Sequence, residues 1–172
     1  FNGDIFIAGT ETQRVNEILC EWIVNFEPDF LLKAMGYEFS KLFITGINLP
    51  DADIPQRFKD IIYGVEFSYR GTVYKYEGLK QTTFKKSVIA NYVYYHYYQD
   101  LNTLSTTSGE AQSARENAKT MSTGVKACAA WNKHVDGVKQ LWFFLANRID
   151  TEGDKVYPEF TGQDIDYDYF EY

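Results

Sequence analysis

Histidine and cysteine are scarce in this 172-residue chain, which has two of each, and proline occurs four times. With only His96 and His134, and no HExxH spacing, a histidine-rich metal centre has no basis in the sequence. Cys20 and Cys128 lack CxxC spacing and fall in apolar helical patterns. Two small buried thiols, inert as nucleophiles, are therefore expected ahead of one long-range disulfide. GxSxG, GxxxxGK[ST] and GxGxxG are also missing, which removes the usual warrants for a serine nucleophile or a phosphate-cradling loop. No run approaches the roughly 20 apolar residues of a membrane helix. The opening FNGDIFIAG has no basic stretch, so no signal peptide is expected.

Positive charge is the other shortage. The chain carries 17 basic against 24 acidic residues, a formal charge of −7, and so repels a phosphate backbone as a whole. Lys80, Lys85 and Lys86 form the densest basic group, a run of the kind that helix surfaces commonly carry. The acids include Asp51, Asp53 and Asp60, and a second set at Asp164, Asp166 and Asp168. The second set has the early rhythm of a calcium loop but lacks its glycine at position six and glutamate at position twelve, so a solvated acidic face is expected. Neither an enzyme nor a cofactor or metal requirement is expected.

Aromatic residues, in contrast, make up 17% of the chain, and tyrosine is the commonest of them, with 14 against 13 phenylalanines and 3 tryptophans. Tyrosine joins a large apolar body to a polar tip and suits surfaces that are half buried or shared with a partner. The stretch VIANYVYYHYYQD, residues 88–100, holds Tyr92, Tyr94, Tyr95, Tyr97 and Tyr98. On a helix, Ile89, Val93 and Tyr97, flanked by Ala90, Tyr94 and Leu101, form an apolar stripe that Tyr98 joins; Tyr92 and Tyr95 fall toward the sides or back. Those two are the candidate partner contacts of this segment. A platform for stacked bases would need positive charge around the rings, whereas Lys85 and Lys86 precede the stretch and Asp100 follows it.

Apolar spacing predicts a helix over residues 10–26, with Thr10 or Thr12 as its cap, and a second starting near Pro28 with Gly36 inside it. INLPDADIPQRF reads as a stiff polar loop. The period-two pattern after it predicts a hairpin near 65–77 turning at Arg70-Gly71; two strands alone are marginal, so it must lie on helices or on a neighbouring chain. A helix from Thr82 or Thr83 to about Leu101 precedes a polar linker over 102–119. The longest rhythm, from Met121 to Ile149, predicts a helix of about eight turns with Gly124 and Gly137 tolerated for packing or a bend. The fold class expected is therefore mostly α, a helical bundle of about four long helices with a small β-hairpin and an extended C-terminal tail. Residues 1–160 form a single helical domain in this reading, and 161–172 an acidic aromatic tail whose alternation is strand-like and fitted to a sheet edge of its own chain or another.

LLKAMGYEFSKLFI at 31–44, YRGTVYKYEGL at 69–79, the tyrosine-rich helix, TTSG at 106–109 and AAWN around Trp131 and Asn132 carry a resemblance that spans most of the chain. The sequence is similar to small proteins from structural gene clusters of phages and prophages of Bacteroidetes, regarded as head–tail connector or neck proteins. That resemblance implies a structural virion protein, an adaptor subunit in a homo-oligomeric ring between neighbouring portal and tail proteins, assembled in the host cytoplasm, with DNA only as passing cargo and no membrane. It marks the segment before the last helix, including Thr106 and Thr107, as a neighbour contact. Tyr167, Tyr169, Phe170 and Tyr172 of the tail complete the candidate contacts. The alternative is a soluble protein-binding or regulatory module that uses the same aromatic surfaces transiently.

Overall fold

The computed structural model describes residues 13–81, 86–106, 109–112, 123–162 and 168. The fold is mostly α-helical. Among the described residues there are five helices: α1 (Gln13–Met35), α2 (Tyr37–Ile47), α3 (Gln56–Tyr63), α4 (Val88–Asn102) and α5 (Thr123–Asn147). Three antiparallel strand pairs accompany them: β1 (Val65–Tyr69) with β2 (Thr72–Tyr76), β3 (Lys80–Gln81) with β4 (Lys86–Ser87), and β5 (Thr103–Thr106) with β6 (Gly109–Gln112).

The break between the first two helices falls at Gly36 and not at Pro28. Pro28 lies inside α1, which continues for two more turns to Met35. Gly36 takes φ 79°, ψ 161°, a conformation that a side chain would oppose, while its N–H still reaches the Leu32 carbonyl at 2.9 Å. The expected interior glycine is thus the corner that turns α1 into α2.

The polar loop expected before the hairpin contains a helix as well. Pro55 fixes an extended φ/ψ and its carbonyl accepts from the Phe58 and Lys59 amides, which starts α3. Phe58 and Ile61, three residues apart, are its buried pair. Gly46 of α2 lies directly against the Phe58 ring, where a Cβ would collide with it. α3 ends at Gly64 (φ 84°), which lies back to back with Gly78 (φ 85°): a Cβ on Gly64 would meet the Tyr76 carbonyl, and one on Gly78 the Gly64 amide and the Ile62 carbonyl. The two glycines let the chain leaving the hairpin cross the end of α3 at backbone contact distance.

The β1–β2 hairpin turns at Arg70-Gly71 as the sequence predicts, with Phe67 opposite Tyr74 and Val65 opposite Tyr76. It lies on α5: Tyr76 stacks on Phe144 with centroids 4.4 Å apart, and Phe67 meets the same ring edge-on at 5.3 Å. The Ile61 carbonyl accepts from both the Tyr76 hydroxyl (3.2 Å) and the Leu79 amide (3.0 Å), tying the hairpin to α3.

α4 begins later than expected, at Val88, after the short β3–β4 pair; the Ser87 hydroxyl caps it by accepting from the Ala90 amide at 3.2 Å. The segment read as a polar linker contains the β5–β6 hairpin, with Thr106 opposite Gly109 at its turn end. Threonine at 103 and 106 suits a strand, but the polar composition offers no apolar alternation to reveal it. α5 follows its predicted rhythm, and Gly137 admits the Val88 side chain against its backbone.

The main core gathers Phe30, Met35, Phe39, Phe43, Phe58, Ile61, Phe67, Leu141, Phe144 and Tyr157 from α1, α2, α3, β1, α5 and the segment after it. That last segment turns back at Asp150, makes a bridge between Ile149 and Lys155, and inserts Tyr157, whose hydroxyl donates to the Arg57 carbonyl at 2.8 Å. Phe160 is buried beside Phe39, 6.1 Å between centroids. No helix among the described residues is long and apolar enough to cross a membrane.

Candidate functional site

α4 lies between α1 and α5, and its first turns bury Asn91, Tyr92, Val93 and Tyr94 in succession. Four consecutive positions at about 100° each sweep about 300° of the helix, so no wet back exists there. Tyr92, expected toward the side or back, is 1% exposed. It is a core residue, and the assignment of its ring as an outward contact is corrected. Its hydroxyl is the part that meets polar groups: it donates to Asp29 Oδ2 at 2.6 Å and accepts from Lys33 Nζ at 3.0 Å, while Lys33 also binds Asp29 at 2.8 Å.

These three groups set each other's protonation. Burial pushes the Tyr92 hydroxyl up, the bond to Asp29 adds to this, and it reaches about 12. Burial would raise the Asp29 carboxyl too, but the hydrogen bonds from Lys33 and Tyr92 outweigh it and hold the carboxyl below its usual value. The Lys33 ammonium is raised, first by its bond to Asp29 and then by Tyr92.

Both histidines of the chain pack around the same tyrosine. His96 stacks on Phe26 at 4.6 Å and meets Tyr92 edge-on at 4.5 Å; His134, fully buried, lies 4.9 Å from Tyr92 and 5.4 Å from Phe30. Burial lowers His134 to about 4, against the small opposite effect of the Val88 carbonyl. It lowers His96 in the same direction, with Lys33 adding to the effect and Asp29 opposing it. The two imidazoles are therefore neutral aromatic packing groups near neutral pH.

Tyr95 is half-buried, its ring 4.7 Å from Trp131 of α5. The Trp131 indole N–H donates to the backbone carbonyl of Asp168 at 2.9 Å. Thr106 ends β5, and Thr107, Tyr167, Tyr169, Phe170 and Tyr172 lie outside the described residues. The expected buried thiols divide: Cys20 is exposed, Cys128 is half-buried, and both are free.

A second aromatic group forms where the hairpin meets α5. Tyr69, Tyr74 and Phe143 approach one another with centroids 5.1–6.3 Å apart, next to Phe67. Tyr74 is 39% and Phe143 37% exposed, and Val73 on the outer face of the hairpin is 67% exposed. Sequence reasoning missed this group, although a signal was present: Trp142, Phe143 and Phe144 are consecutive, and with Trp142 and Phe144 turned inward the middle ring is carried to the outside. Among the described residues, no cluster of three or more His, Cys, Asp and Glu side chains is arranged to hold a metal ion. Neither a family model, nor a curated protein, nor a solved structure matches the chain.

Proposed function

We propose that this protein works by contact with other protein chains, that the Tyr69, Tyr74 and Phe143 face is its binding surface, and that a second copy of the chain is its first partner. The observation that carries this reading is a contiguous set of partly exposed rings on a hairpin that has only two strands among the described residues. Rings gathered in this way, with apolar Val73 on the same hairpin, are worth more against a partner than in water. Arg70 at the turn lies over the Tyr69 ring at 5.1 Å, so a cation borders these rings in a chain whose total charge is −7, which favours their meeting an acidic surface such as that of a second copy.

Sedimentation velocity across a wide concentration range tests the proposal. The wild-type chain is expected to associate as concentration rises, and the double variant Tyr74→Ser, Phe143→Ser to remain monomeric with unchanged far-ultraviolet circular dichroism. A wild type that is monomeric throughout, or a folded double variant that associates equally well, would overturn it.

The ring-forming adaptor between portal and tail is a narrower form of the same reading. A ring requires a head-to-tail contact between two different surfaces. The exposed rings of Tyr37 on α2 and Tyr63 on α3, outside the hairpin group, favour it by supplying further apolar surface. Closed rings of fixed copy number in electron micrographs are the outcome expected of an adaptor; a two-fold dimer with no larger species removes that form and leaves the general one.

A further inference from the structure

We infer that β2 is an open sheet edge and that a second copy lays its own β2 against it, antiparallel, to make one four-stranded sheet across a two-fold axis. This rests on the reading of the hairpin as the self-association surface and adds the part that the backbone plays in it.

The parity of the hairpin decides which backbone groups face outward. Tyr69 lies opposite Thr72 across a two-residue turn, in which Arg70 and Gly71 have φ 51° and 77°. In such a hairpin the pair flanking the turn exchanges ladder bonds, and the pairs alternate from there. Tyr69–Thr72, Phe67–Tyr74 and Val65–Tyr76 therefore bond within the hairpin, whereas the N–H and C=O groups of Glu66, Ser68, Val73 and Lys75 point away from it.

The two edges differ. On β1 the outward Glu66 carbonyl accepts from Arg148 Nη1 at 3.3 Å, so a side chain from the residue after α5 occupies that edge. On β2 no group among the described residues bonds the outward amides and carbonyls of Val73 and Lys75. Thr72, Val73, Tyr74 and Lys75 are all exposed. Edge strands are commonly guarded by proline, a bulge or an inward charge. β2 has no proline, its register runs without a bulge from Thr72 to Tyr76, and its one charge, Lys75, is paired with Glu77 at 3.1 Å.

β2 also fits itself in one register. Two-fold pairings that join the outward groups set Val73 opposite Val73, Lys75 opposite Lys75, or Val73 opposite Lys75 of the second copy. The first leaves Lys75 opposite the left-handed Gly71 of the turn, which is not extended and cannot continue the ladder. The second sets two ammonium groups side by side. The third joins all the outward groups of both residues and sets Tyr74 opposite Tyr74 in a pair without mutual ladder bonds, where side chains come closest. The partly exposed rings of the two copies then cover each other, on the face that Tyr74 shares with Phe143 at 5.1 Å.

Val73→Pro tests this, because it removes an outward N–H and none of the hairpin's own ladder bonds. In sedimentation velocity it is expected to weaken self-association on the order of tenfold or more. Val73→Ala, which keeps the amide, is expected to cost about threefold or less. Equal weakening in the two variants, or a Val73→Pro variant that associates like the wild type, overturns the edge pairing and leaves the ring surface standing. A wild type that is monomeric throughout defeats the ring surface and this inference together. Amide exchange in the wild-type chain serves where Val73→Pro fails to fold. The Val73 and Lys75 amides are expected to slow on the order of tenfold as concentration rises through the association range. Unchanged exchange at both while the protein associates overturns the inference.

Discussion

The two halves of α5 face different surroundings. From Val138 onward its inward side chains, Val138, Leu141, Phe144 and Leu145, enter the main core with Phe39, Phe67, Tyr76 and Tyr157, and apolar volume is what they contribute. Before that point the helix presents His134 and Trp131 to Tyr92 and Trp131 also to Tyr95, with Asp29 and Lys33 at the tip of Tyr92. One half is specified by how well rings fill space. The other is also specified by which groups carry protons, so the same helix should respond to cavity mutations at one end and to acid at the other.

The largest effect is expected in the dry half. Phe144→Ala removes a fully buried ring that touches Tyr76, Phe67 and Tyr157, and should lower unfolding free energy by about 4 kcal/mol in urea titration at neutral pH. A loss below about 1 kcal/mol would mean that this half is loosely packed and the contrast is false.

Acid should act on the other half. His134 has its protonation lowered to about 4 by burial, whereas an unfolded chain takes up the proton near 6.5. The unfolded state thus binds more protons between those values, and stability must fall as pH drops from 6.5 toward 4, by about 3 kcal/mol in total, with no such loss above about pH 7. His96, shifted the same way, adds to the loss. Asp29 has the opposite chemistry: its depressed carboxyl stabilises the fold above its ordinary value and gives way only at lower pH. Urea titrations at stepped pH should show the slope in the wild type and a flatter one in His134→Phe. An equal slope in both would remove His134 from the account.

The smallest effect probes the polar tip. Tyr92→Phe keeps the ring among Phe26, Phe30 and His134 but deletes the hydroxyl that joins Asp29 and Lys33. Since Asp29 keeps Lys33 and is partly exposed, a cost of about 1 kcal/mol is expected at neutral pH, measured by chemical denaturation. A cost equal to that of Phe144→Ala would show that the hydroxyl network governs the seam more than its packing does.

These two halves were not equally legible in the sequence. The three- and four-residue rhythm of α5 and the Arg70-Gly71 turn follow from local pattern, and both elements lie where that pattern puts them. α3 was hidden because two prolines and two acids precede it, although Pro55 with Phe58 and Ile61 marks a helix start once the loop reading is set aside. The tyrosine row failed for a different reason. A helical wheel assumes one buried face, and α4 has two, one toward α1 and one toward α5. Tyr92 looked outward only because its two partners come from segments about 40 to 60 residues away, at Phe30 and His134. The outer rings at Tyr74 and Phe143 likewise depend on which side of α5 the hairpin covers, which tertiary packing decides.

The Ile61 carbonyl, shared by the Tyr76 hydroxyl and the Leu79 amide, has a mechanical consequence. Tension applied to the hairpin enters α3 at one oxygen atom, with two donors loaded together, and passes on through Ile61 to the main core. The Gly64 and Gly78 crossing beside it is too close for either chain to slide by a residue without a steric clash. A hairpin mounted this way behaves as a stiff handle, so a pulling partner would strain the whole domain before it could peel the strands away.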